Sequence, residues 1–212
     1  MCNEAERRRR RECRAAVAAG AALLALVSVA AAAQETGVTK DPRQAPQSQM
    51  TMTQTMAQDV REIRAAKGAD RETTYLTKMM DHHQSGIDMA RLALEKSQNA
   101  AVRREAKQMM DSQTKEIAWM RAHLKNQHRM DRTAKPDPRM QPMMDRLQAR
   151  SGVDFDRAFA REMIGHHEGA IAMSGAFMDG RTPHRPVRTM AQRIIRSNRT
   201  GQRDLKVASA AW

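Results

Sequence analysis

The chain has 212 residues, of which only 3% are aromatic, with 18 methionines, two cysteines and a formal net charge of +13. So few aromatics argue against a sheet sandwich, and a core of Leu, Ile, Met and Ala favours packed helices. The basic excess raises nucleic acid as a partner, but Lys and Arg are spread among acids, as in Arg103-Arg104-Glu105, and few rings are present to stack on bases. The reading is therefore no nucleic acid, and a solvated basic surface suited to weak contact with anionic membrane.

Arg7 to Arg11 and Arg14 form a basic n-region ahead of an apolar run from Ala15 to Ala33. The run closes on Ala31-Ala32-Ala33, which suits cleavage before Gln34, so residues 1–33 are expected to be a signal peptide. An uncleaved membrane anchor is the weaker alternative, because more than half of the run is alanine. The expected location is the periplasm or outside the cell. Cys2 and Cys13 both precede the cleavage point, leaving no disulfide, thiolate zinc site or cysteine nucleophile behind it.

Residues 34–68 are rich in Gln, Thr and Met and read as a flexible leader, weakly helical from Met56 to Lys67. From 69 to 212 a four-helix bundle is expected. Hairpin one covers 70–127: Leu76, Met80, Ile87 and Leu94 mark its first helix, with Asp70, Thr73 and Thr74 as capping residues. Its second helix runs from Ala100 to about Asn126. A link at 128–152, broken by Pro136, Pro138 and Pro142, holds a short helix near Met143 to Arg150. Hairpin two covers 153–208, with one helix from about Asp154 to Met178 and another opened by Thr182-Pro183.

The two hairpins are copies. Residues 79–90 read MMDHHQSGIDMA and residues 163–174 read MIGHHEGAIAMS, so His82 aligns with His166, Met79 with Met163 and Met89 with Met173. Two such hairpins make an all-α four-helix bundle. On a helical wheel Met79, His82, His83 and Met89 share an arc of about 120° beside the apolar stripe. Met163, His166, His167 and Met173 repeat it. Gly86 or Ala170 sits mid-arc, leaving room for an ion or a close neighbour helix.

Thioether sulfur is a soft, neutral ligand that favours Cu(I), and imidazole accepts the same ion. The Glu-x-x-His pairs of di-iron bundles and the HExxH zinc-protease motif are absent. Copper, with Cu(I) favoured, is the expected ion, and silver would bind similar donors. Imidazole must be neutral to ligate, so binding is expected to weaken as pH falls through about 6.5. Met50, Met52 and Met56 in the leader, and Met140, Met143 and Met144 in the link, resemble flexible clusters able to take Cu(I). His123, His128 and His184 read as separate surface residues. Gln113 and Glu116 read as helix-surface residues with the capacity to bond across helices.

These motifs, each followed by a helix like AKQMMDSQTKEIAWM, resemble the bacterial family catalogued as domain of unknown function 305, over about Asp70 to Leu205. The resemblance implies a ferritin-like fold and, as in exported copper-binding proteins of the CopM type, a role in copper tolerance. It carries Met79, His82, His83, Met89, Met163, His166, His167 and Met173 over as metal ligands. The expected function is a non-enzymatic, exported buffer or carrier of Cu(I), with the delivery partner unidentified. Two alternatives are a metal-dependent oxidoreductase with a two-metal centre, disfavoured because its acidic ligands are missing from the donor arcs, and a structural surface-interaction protein.

Overall fold

Apolar side chains recurring every three or four residues decide where helices form here, and the helices end where that spacing stops or a cap takes over. The structure, a computed structural model, describes residues 52–180 and 184–211, all within a single unit spanning Asp41–Trp212. The signal peptide, the leader up to residue 51 with Met50, the side chain of Met52 and the Thr182-Pro183 cap lie outside the described residues. No helix among the described residues is long and apolar enough to cross a membrane.

The helices are α1 (Met52–Ala65), α2 (Gly68–Lys96), α3 (Ala100–His128), α4 (Gln141–Gln148, preceded by a 3-10 turn at Pro138–Met140), α5 (Gly152–Met178) and α6 (Arg185–Ser209). α2 starts before the expected Asp70, at Gly68, whose φ of +54° is left-handed geometry that glycine enters without strain. Lys67 supplies no side-chain cap, and Asp70 instead places its charge in the first turn, where the helix dipole favours it. Asn99 caps α3 by accepting from the Ala101 and Val102 N–H groups. The proline in the first turn of α6 is Pro186.

α2–α3 and α5–α6 are the two hairpins, and α2 lies along α5. The register between them is fixed by Tyr75, which stacks on Phe177 at 4.4 Å and shares a 3.0 Å hydrogen bond with Ser174. The apolar core divides in two. One cluster gathers Leu76, Met79, Met80, Leu124, Met173 and Phe177; the other gathers Met89, Leu92, Met109, Phe159, Met163 and Leu205. Along α2 and α5 the four paired histidines fall between these clusters, so a polar layer crosses the middle of the bundle.

The helical part expected in the leader from Met56 to Lys67 is found as a helix that packs on the bundle. Residues 52–65 form α1, which packs on α5 and α2 as a fifth helix against the four-helix core. Met56, Val60 and Ile63, spaced by four and three, give it one apolar edge; Ile63 is fully buried. Asp59, also buried, pairs with Lys78 at 2.9 Å and with Arg139 at 3.1 Å. The Arg71 guanidinium takes up the carbonyls of Ile63 and Arg64 at the end of α1. The link runs back along α2: Arg132 and the Lys135 N–H bond to Asp81, and the Asp137 N–H to Ser85.

Candidate metal centre

Two glycines let the hairpins meet closely enough to join their histidines. A Cβ on Gly86 of α2 would stand 2.6 to 2.8 Å from the His166 ring and 2.5 Å from Gln113 Oε1. With that space open, His166 Nε2–H reaches the helix backbone and donates to the His82 carbonyl at 3.0 Å. A Cβ on Gly169 of α5 would stand 2.6 Å from Met56 Sδ and 3.0 Å from His82 Nε2. The space foreseen at Gly86 is thus taken by a neighbouring side chain, and Met56 of α1 brings a thioether beside His82.

His82 and His166 stack with ring centroids 3.8 Å apart and planes 25° from parallel. His83 and His167 flank them at 6.2 and 6.1 Å, giving a row of four buried imidazoles across the bundle. Both nitrogens of His82, Nδ1 of His83, Nδ1 of His166 and Oε1 of Gln113 have no hydrogen-bond partner. Unpaired buried polar atoms are costly, so several sitting together mark a place suited to a ligand.

Burial first, then the neighbouring imidazoles, holds the pKa of His82 well below the ordinary value. Burial and then His167 lower that of His166 to about 3. Both rings are therefore neutral throughout the usual pH range, with lone pairs to offer. The proton competition expected near pH 6.5 moves to lower pH for this pair.

The outer histidines differ. His83 Nε2–H donates to Glu116 at 2.8 Å, which orients the ring and leaves Nδ1 as the ligating atom. His167 faces acceptors on both sides, Asn198 Oδ1 at 2.6 Å and Glu105 Oε1 at 3.1 Å, so neither nitrogen is free. Gln113 and Glu116 are buried rather than on the surface. Carboxylates absent from the donor arcs thus enter from α3, but each meets one imidazole.

The four methionines are all fully buried and fall into two pairs. Met79 and Met173 belong to one apolar cluster, Met89 and Met163 to the other, one pair on each side of the imidazole row. The eight expected ligands are thus a row of four imidazoles with a methionine pair in the apolar cluster on either side. A groove of about 420 Å³ between α3 and α6, lined by Glu105, Gln113, Glu116, His167 and Asn198, reaches this row from solvent.

The Gly86 contact gives a direct check. Gly86→Ala is expected to destabilise the fold by about 1–3 kcal/mol through overpacking. It should also separate the His82 and His166 rings, read by denaturant melts and by histidine NMR shifts. A fully neutral substitution would refute the close approach.

A second cluster lies near one end of the bundle. Glu72 of α2 is fully buried, and its Oε1 accepts from His123 Nε2 and His128 Nε2 of α3 and from His184 Nδ1 ahead of α6, each at 2.8 Å. Among the described residues this is the one group of three or more His, Asp or Glu donors whose ligating atoms all lie within 4.8 Å of one another. Three histidines expected as separate surface residues are brought together. His123 and His128 sit about 140° apart on the α3 wheel, so no helical-face pattern joins them.

The chain is similar to solved structures of CopM. In its Cu(II)-bound form CopM is 27% identical, with a TM-score of 0.57, the match covering 66% of this chain and 98% of CopM. In its Cu(I)-bound form it is 26% identical, with a TM-score of 0.58, covering 66% and 96%. A DUF305 fragment from Deinococcus radiodurans is 25% identical, with a TM-score of 0.59, covering 66% and 96%. No curated protein sequence matches the chain. The helical hairpins, and the likeness to CopM and DUF305 proteins that the repeated motifs led us to expect, agree with the family model that covers residues 61–196, and the chain belongs to that family, described as Domain of unknown function (DUF4142).

Proposed function

We propose that the protein is an exported copper-binding protein that buffers or carries Cu(I) and so supports copper tolerance. The observation that carries this reading is the stacked His82–His166 pair: buried, neutral, with unpartnered nitrogens, and beside the sulfur of Met56. Cu(I) suits such neutral nitrogen and sulfur donors. His82, His83 Nδ1 and His166 Nδ1 are the leading ligands. Met56 joins them, with Met79 and Met173 on one side and Met89 and Met163 on the other. His167 takes part only by releasing Asn198 or Glu105. The likeness to CopM, solved with both copper oxidation states, supports the choice of metal. The basic n-region and the Ala31-Ala32-Ala33 exit support export.

The test is a Cu(I) titration of the purified protein against a chelator of known affinity. Replacing His82, His83, His166 and His167 together by alanine is expected to weaken binding by about 100-fold or more. Met56→Leu keeps volume while removing the sulfur, and is expected to weaken it without unfolding the bundle. Affinity unchanged in both variants would end the proposal.

A further inference from the structure

The carboxylate cluster at the bundle end is separate from the imidazole layer in both position and donor chemistry. Glu72 Oε1 sits among three ring nitrogens, each 2.8 Å away. The rings stand around it as a nearly equilateral triangle, with centroid separations of 5.6, 5.8 and 6.0 Å. Its other oxygen, Oε2, is buried and has no partner. Three donors crowd one oxygen and none reaches the second, a poor use of a buried carboxylate unless something else takes up that oxygen.

The Glu72 carboxyl is ionised. Burial, the largest influence, pushes its pKa up, but the hydrogen bonds from His128, His184 and His123 together outweigh it and hold the pKa below the ordinary value. A buried anion facing three imidazoles is a donor set of intermediate softness with no sulfur in it. Such a set suits a divalent first-row ion in tetrahedral coordination, with Zn(II) as the standard case, and lacks the thioether sulfur that favours Cu(I). The rings are also steadied from outside: Trp119 stacks on His123 at 5.1 Å, with planes 18° apart. The His184 side chain is 39% exposed, which gives an ion a way in.

We propose that Glu72, His123, His128 and His184 form a second metal site, selective for a divalent ion, which clasps the start of α2, the end of α3 and the residue preceding α6. It goes beyond the Cu(I) reading and does not depend on it. Bound metal would stabilise the fold by binding the native chain alone. Two classes of ion would then occupy one protein at separate places, each chosen by its donors.

Trp119 provides the readout. In a Trp212→Phe background, Co(II) is expected to bind one equivalent, to develop the strong visible bands of a tetrahedral ion, and to quench Trp119 emission. Zn(II) should displace it and raise the melting temperature. His184→Ala alters the half-exposed ligand and leaves the other three in place, so helicity by circular dichroism should be unchanged. Co(II) affinity should fall about tenfold or more, and the Zn(II) effect on melting should vanish. Glu72→Gln is the second variant, expected to lose the tetrahedral spectrum. Octahedral bands, binding without quenching, binding unchanged in His184→Ala, or no binding of either ion would each overturn the proposal. Cu(I) titration of the same His184→Ala protein keeps this outcome distinct from that of the imidazole layer, because failure there leaves the Co(II) result standing, and the reverse.

Discussion

Acidifying the metal-free protein from pH 6.5 to 4.5 is expected to lower its stability steeply, at a pH where most carboxylates are still ionised. His82 and His166 are buried with pKa values far below those of unfolded histidine. Between the folded and unfolded values the unfolded chain holds more protons, so stability is complete above about pH 6.5 and falls as acid is added. Each histidine contributes a slope of about 1.4 kcal/mol per pH unit, and the pair roughly twice that. A domain holding about 5–15 kcal/mol in all would lose a large share within two units. Urea melts at successive pH values measure the slope directly. His166→Gln, which removes one titrating ring, should roughly halve it. A flat profile across this window would mean that the two imidazoles are hydrated or already charged in the native state.

The second large effect concerns α1. Ile63→Ala is expected to cost about 2–5 kcal/mol, because the side chain is fully buried where α1 packs on the bundle. The urea midpoint should fall while the dependence on urea stays constant, as expected for a loss of packing with no change in the surface exposed on unfolding. If residues 52–65 were a loose leader, the same substitution would be silent. The experiment also bears on metal binding, since the same packing carries Met56 to His82.

Much of the bundle was legible because its signals are local. Leu76, Met80 and Ile87 repeat at helical spacing, and the duplicated His-His-Met motif aligns the hairpins without any structure. α1 was less legible because its apolar edge is only Met56, Val60 and Ile63 within a polar composition. A short stripe of that kind declares itself only when a neighbour covers it. The helical wheel placed His82 and His166 on inward arcs, yet it could not tell that Gly86 and Gly169 would admit the facing rings. Nor could it foresee that His167 would be held by Glu105 and Asn198. Hydrogen bonds of this kind join residues of different helices and leave no spacing in the sequence. The Glu72 cluster was the least legible, since its members lie at helix ends and 112 positions separate Glu72 from His184.

The seam between the hairpins has a bearing on how the molecule assembles. Only a few residues separate the two helices of each hairpin in the chain, and each hairpin gathers neighbours from its own stretch of chain, an arrangement that folds fast. The row of imidazoles draws half its members from each hairpin, so it can be completed only when the two dock. A nascent chain with one hairpin made would therefore show its histidines to water, free to take protons or ions from the surroundings. Closure of the seam then fixes what those rings can hold.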